Sequence, residues 1–251
     1  AVALGIIFFI LTKDTETWSI SSKQLVNVPI PEDAASFFGS EAVDVFSGRV
    51  GHYVFTSSQS VYDAGQNLSE EDFDPRTHTF DSVAGKSEDY AEAKRQAEAE
   101  FFQAEGFPVT AVRFPIVIGI DDSTNRFLFH VRRVASLDEI YLPNPLAKIS
   151  FVDSGDAAEA LKFLGALGPQ GPINVASEQP VELGAFVGLI EKALGKTAIF
   201  TQQETPDNLS PYGIRDHWYM TTSKLTSLGF SLRPIEEWVG PSAIQMLKEN
   251  P

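Results

Sequence analysis

Hydrophobic and polar positions alternate along the chain in blocks that predict strands and helices in turn. The run Val2–Leu11, "VALGIIFFIL", predicts a buried strand or core segment and, at ten residues, is roughly half of what a bilayer crossing needs. "PIPEDAASFF" has a proline start and helical composition, and "SEAVDVFSGRVG" predicts a short helix closed by glycine. The β-branched and aromatic run "HYVFTSS" (His52–Ser58) predicts a buried strand, and the polar stretch Asp63–Asp89 behind it reads as a long loop. Next comes an Ala- and Glu-rich helix, "YAEAKRQAEAEFFQAEG", stopped by Gly106 with Pro108 beyond, and then a single strand "FPVTAVRFPIVIG" (Phe107–Gly119). Further helices are predicted at Phe127–Val134, Ser154–Leu167 and Leu183–Leu194, with a short strand "GPINVAS" between the last two and a final helix over Pro234–Glu249. Strand, helix and strand in alternation predict an α/β fold with a parallel sheet.

Composition narrows the classes. With 251 residues and 43% hydrophobic content, the chain can build one substantial core, and no linker or internal repeat divides it. It has no cysteine, so disulfides and thiolate-bound metal are excluded and a cytoplasmic setting is the default expectation. The net charge of −15 disfavours nucleic-acid partners, and no segment predicts a membrane span. His52, His78, His130 and His217 are scattered without metal-ligand spacing, so no metal is expected.

Candidate chemistry centres on "SEDYAEAKRQAEAEFF". Tyr90 and Lys94 are four apart and share one helix face, yet this pair alone arises by chance in about one chain in four of such composition. The residue types give it meaning. A phenol titrates near ~10 and becomes an acid or base at neutral pH only when a cation lowers that value, which a lysine one turn away would supply. A partner hydroxyl is expected at the end of the preceding strand, in "TSSQSVYD", where open α/β sheets place their sites. Glu92, Glu98 and Glu100 are expected on a solvated face of the same helix.

Together "HYVFTSSQSVYD", "YAEAKRQAEAEFF", "VTAVRFPIVIG", "ISFVDSGDAAEALKFL" and "GPINVAS" resemble the extended or atypical short-chain dehydrogenase/reductase superfamily, and within it the NAD-dependent epimerase/dehydratase branch that includes nucleotide-sugar epimerases. The resemblance runs from about Gly51 to Val239. It implies a Rossmann-like doubly wound parallel sheet in a single unit over 1–251, with a small substrate lobe drawn mainly from about 120–150 and 178–251. It implies NAD or NADP as cofactor, a sugar or nucleotide-sugar substrate, and allows a homodimer. By position it assigns catalysis to Ser58, Tyr90 and Lys94, and cofactor contact to Ser57, Tyr90, Lys94, Phe114 and Pro115. Dehydratases carry Asp-Glu after the catalytic hydroxyl where this chain has Gln59-Ser60, so dehydration is disfavoured.

Substrate contacts are expected from Gln59, Arg126, His130, Arg215 and Trp218, because a guanidinium and aromatic faces suit a phosphate and a base. Arg126, His130 and Arg133 fit a solvated helix face as well. Trp218 and Tyr219 fit simple packing of the small lobe equally, and His217 shares their loop. One departure stands out: nothing in Ala1–Arg49 matches the family's Gly-x-x-Gly-x-x-Gly phosphate turn, since Gly5, Gly39 and Gly48 are isolated. Either that half is degenerate or the sequence lacks pieces of it, the second being favoured. A non-catalytic or RNA-associated relative of the same fold is the alternative, against which the acidic charge and the intact Tyr-Lys pair both speak.

Overall fold

The computed structural model describes residues 10–14, 17–20, 42–44, 46–79, 89–104, 106–120, 122 and 124–250. The helix expected over "PIPEDAASFF", most of the first apolar run and most of the segment searched for a glycine turn lie outside these residues. In chain order, an edge hairpin of β1 (Ile10–Asp14) and β2 (Thr17–Ile20) precedes β3 (His52–Ser58) and β4 (Gly65–Leu68). Helix α1 (Tyr90–Gln103) leads to β5 (Val109–Phe114) and β6 (Ile116–Ile118), then α2 (Arg126–Ser136). Short strands β7 (Glu139–Ile140), β8 (Lys148–Ile149) and β9 (Phe151–Asp153) run into α3 (Ser154–Leu167). After β10 (Gly171–Asn174) and β11 (Val181–Glu182) come α4 (Leu183–Leu194), β12 (Ile199–Phe200), β13 (Trp218–Met220), α5 (Ser223–Ser227) and α6 (Ile235–Glu249).

The main sheet has the order β10-β5-β3-β1-β2. Its strands β10, β5 and β3 are parallel, with Ser58 opposite Phe114 and Asn174 opposite Arg113, so the strand ends that carry candidate chemistry finish on one side. Period-2 alternation divides β3: Tyr53 and Phe55 pack with Ala97 and Phe101 of α1, while Val54 faces Ala157, Leu161 and Leu164 of α3. Helices thus cover both faces, the Rossmann-like α/β arrangement that the alternating pattern predicts. At the other edge β1 pairs antiparallel with β3, so the sheet is not parallel throughout.

The strand expected over Phe107–Gly119 is broken at Pro115, which has no N–H to continue the ladder. β5 stays in the main sheet and β6 leaves it to pair in parallel with β9. A second core then forms from Phe127, Val131, Phe151, Phe186 and Trp238, packing α2, α4 and α6 together. β4 lies in what reads as loop, because an edge strand of sequence GQNL pairs through its backbone with β13 and shows no apolar alternation. The chain is helical at 42–44 and 46, and Gly48 closes this turn at φ 69°, as its sequence predicts. Among the described residues no helix is long and apolar enough to cross a membrane.

Candidate functional site

A cavity of about 460 Å³ opens where β3 and β5 end. Ser58, Gln59 and Ser60 enter it from the end of β3, Tyr90 from the start of α1, and Pro115, Ile116 and Val117 from the β5–β6 break. Arg126 at the start of α2 and Tyr212 and Trp218 from the following lobe complete the wall. Six residues singled out in the sequence therefore share one cavity: Ser58, Gln59, Tyr90, Pro115, Arg126 and Trp218.

Ser58 caps the 3-10 turn Gln59–Val61, its Oγ accepting from the Ser60 N–H at 3.1 Å. This fixes the hydroxyl at the strand end, where it lines the same cavity as Tyr90 and donates to Ser60 Oγ at 3.1 Å. Tyr90 opens its helix behind the N-cap Asp89, whose carboxylate accepts from Ala91 N–H. The tyrosine side chain is 52% exposed, yet its pKa is raised first by desolvation. A ring whose flank faces solvent and whose hydroxyl end is enclosed satisfies both observations. The nearby Ser58 hydroxyl and the charge of Arg126 work in the opposite direction.

Lys94 sits one turn further, buried, with its ammonium donating to Thr56 O at 3.2 Å and lying 5.8 Å from the Tyr90 ring centre. Burial lowers its pKa to about 8, against the opposing charge of Glu98. The expectation that Lys94 acidifies Tyr90 is therefore not met in this geometry: the cation acting on the phenol is Arg126, and the net direction is upward.

Ser57 points away from the cavity and donates to Glu98, a residue fully buried rather than solvated. Glu98 lies one turn beyond Lys94 on the sheet-facing side of α1, where Arg113 meets it at 2.6 Å. Arg113 also donates to Tyr62 Oη at 2.7 Å and to Phe73 O at 2.9 Å, and Tyr62 in turn donates to Asn174. Glu92 is likewise partnered, by His78 and Arg95.

The remaining sequence candidates lie outside the cavity wall. Phe114 is buried in the main core beneath Pro115. His130 is stacked behind Tyr212 at 4.8 Å, with Nδ1 donating to Arg126 O and Nε2 accepting from the Ser210 hydroxyl, each at 2.8 Å. Burial lowers its pKa to about 4. Arg133 donates to the carbonyls of Glu139 and Asp207. Arg215 is exposed, its carbonyl accepting from Asn144, and His217 Nδ1 accepts from Lys148 N–H at 3.0 Å. Tyr219 is buried beside Gln66. Among the cavity residues not singled out in the sequence is Tyr212. Its signal was the aromatic stretch "SPYGIRDHWYM", in which other members drew attention first.

Comparison with known proteins follows the same lines. The family model described as "NAD dependent epimerase/dehydratase family" matches residues 41–176. No curated protein matches the sequence. Among solved structures, the UDP-glucose 4-epimerase of Thermus thermophilus in complex with NAD is 16% identical, with a TM-score of 0.58 over 87% of this chain and 75% of that one. The UDP-N-acetylglucosamine 4-epimerase of Bacillus cereus is 19% identical, TM-score 0.56, covering 87% and 76%. The dTDP-glucose 4,6-dehydratase of Bacillus anthracis in complex with NAD is 14% identical, TM-score 0.63, covering 87% and 69%. At such identities the likeness is one of fold.

Proposed function

Given that the chain belongs to the NAD dependent epimerase/dehydratase family, we propose that it is an NAD(P)-dependent oxidoreductase of the epimerase or dehydrogenase type, acting on a hydroxyl of a sugar or nucleotide-sugar. The observation that carries this is the convergence of the Ser58 and Tyr90 side chains on one cavity, with Lys94 one turn further along the helix that carries Tyr90.

In this mechanism Tyr90 takes the proton of the substrate hydroxyl, and Ser58 holds that oxygen as carbonyl character develops. Lys94 keeps the Tyr90 end of α1 pinned to the strand through Thr56 O, with its ammonium 5.8 Å from the Tyr90 ring centre. The nicotinamide group, when bound, supplies hydride acceptance and donation and adds positive charge near Tyr90. The residues at the strand ends fit its nicotinamide half: Tyr90 has an open ring flank, Lys94 is a buried donor, and Pro115 turns the chain out of the sheet. Ser57 is left out of this set, because its hydroxyl is committed to Glu98. Dehydration is disfavoured because Gln59, donating to Trp218 O at 2.9 Å, offers no carboxyl acid beside the substrate.

The test is a fluorescence titration of the full-length protein with NADH and NADPH, followed by turnover of UDP-glucose and UDP-N-acetylglucosamine with NAD or NADP. Micromolar cofactor binding, with turnover lost in Tyr90→Phe, is the expected result. Absence of nicotinamide binding defeats the proposal.

A further inference from the structure

In a chain of net charge −15, two cations converge on one point at the far end of the main sheet from the cavity described above. β10 enters the sheet at Gly171, opposite Thr110, whereas that cavity opens beyond Ser58 and Phe114 at the other end of β3 and β5. A Cβ placed on Gly171 would lie 3.8 Å from Arg76 Nη2 and 4.0 Å from Lys224 Nζ. Gly171 has φ 74°, a conformation that disfavours any side chain, so the space between the two cations stays open.

Both cations are held in place. Lys224 donates to the carbonyls of Gln170 at 3.0 Å and Pro172 at 2.7 Å, which flank Gly171, and an ammonium has a third donor to give. The Arg76 guanidinium lies 5.0 Å from the Phe102 ring centre, and its Nη1 reaches Asp74 only at 3.5 Å, a surface contact that contributes little. Among the described residues no carboxylate pairs with Lys224. Glu70 acts on it by charge alone, its Oε1 accepting from Asn174 N–H at 2.7 Å. Burial lowers the Lys224 pKa, Glu70 opposes this, and the charges of Arg113 and Arg76 lower it further. Like charges gathered in this way repel, and an anion between them removes that cost.

A second observation gives the ligand its other half. Beside the two cations lies a cavity of about 270 Å³ whose lining includes Phe101, Phe102, Phe107 and Pro169, with Arg76 and Gly171 among the same residues. Drug-sized pockets begin near ~300 Å³, so this one has room for a single ring rather than a nucleotide.

We propose that Arg76, Lys224 and this cavity form a second binding site, for a phosphate monoester whose organic part is one apolar ring. Two cations balance the two charges of a phosphate monoester, and its oxygens accept from both at once. The phenylalanine side chains take the ring out of water. No part of this site belongs to the cavity that holds Ser58 and Tyr90, so the proposal stands apart from the reaction proposed above.

Isothermal titration of the full-length protein tests this at about pH 7.5, where a phosphate monoester carries close to two charges. The probes are phenyl phosphate, phenyl sulfate and inorganic phosphate. Phenyl phosphate is expected to bind at least about tenfold more tightly than either of the others, since the sulfate ester has one charge fewer and inorganic phosphate leaves the ring pocket empty. Arg76→Gln is expected to weaken phenyl phosphate at least about tenfold while melting within about 2 °C of the parent, because the Arg76 side chain is 58% exposed. Lys224→Met should weaken binding likewise. Saturating UDP-glucose and NAD should leave the affinity for phenyl phosphate unchanged. No binding of phenyl phosphate, equal affinity for either of the other probes, binding that survives Arg76→Gln, or displacement by UDP-glucose each overturns the proposal.

Discussion

Arg113 and Glu98 meet at 2.6 Å with both side chains fully buried, and this pair ties the strand under the site to the helix that carries Tyr90 and Lys94. The guanidinium also sits over the Tyr62 and Phe73 rings at 5.0 and 5.2 Å, so its charge has no route to water. Breaking one side of such a pair leaves an uncompensated buried charge. Glu98→Gln is expected to cost about 3–5 kcal/mol in urea unfolding, and the double variant Glu98→Gln/Arg113→Met to recover part of it. A loss below about 1 kcal/mol in the single variant would contradict this role.

Acid is expected to destabilise the protein between pH 6.5 and about 4. His52 and His130 are both held neutral in the fold, each with a pKa lowered to about 4 by burial. The unfolded chain binds protons at these sites from 6.5 downward and the folded one does not. Stability is therefore full above pH 6.5 and falls through that window, on the order of 3 kcal/mol for each histidine. Equilibrium unfolding at successive pH values gives the slope, which should lessen in His130→Gln.

Lys94 acts with the same sign in a higher window. Its folded pKa of about 8 lies below the usual lysine value, so burying its charge opposes folding below pH 8 and that cost fades as pH rises toward 10.5. Lys94→Met should match or exceed the parent in stability at pH 7, by up to about 3 kcal/mol, with the gap closing above pH 8. Nicotinamide binding should fall in the same variant. Stability and binding would then separate, which a purely structural lysine would not produce.

Ser58 is expected to tolerate threonine better than alanine. Its Oγ caps the Gln59–Val61 turn and lines the cavity beside Tyr90, so Ser58→Ala removes both roles and Ser58→Thr keeps the oxygen. Turnover should drop about 10²-fold or more in Ser58→Ala and in Tyr90→Phe, and by less than about tenfold in Ser58→Thr. Steady-state rates on any accepted substrate provide the comparison.

Legibility in the sequence tracked how far each residue's surroundings are local. β3 could be bounded at His52–Ser58 because a strand buried on both faces is apolar or β-branched along its length. The helix from Tyr90 followed from its alanine content, although it ends at Gln103 with Ala104 as C-cap rather than at Gly106, and the Ser58–Tyr90–Lys94 spacing could be read along the chain. Glu98 could not be placed, since its partner is 15 residues away on a strand and glutamate on an alanine-rich helix looks solvated. Tyr212 was equally hidden: its position depends on stacking against His130, 82 residues earlier, and no spacing rule links the two. β4 escaped because backbone pairing with β13 leaves no mark in side-chain pattern.

Pro115 has a consequence for how the protein melts. One residue separates β5, which is embedded in the main core, from β6, whose Ile118 belongs to the second. Ser58 and Tyr90 hang from the first core, Arg126, Tyr212 and Trp218 from the second, and a ligand spanning the cavity would bolt the two halves together. Calorimetry should then record a broad or stepped endotherm for the free protein that sharpens into one cooperative transition when substrate is bound. The narrowing of that peak would measure how strongly occupancy couples the two halves.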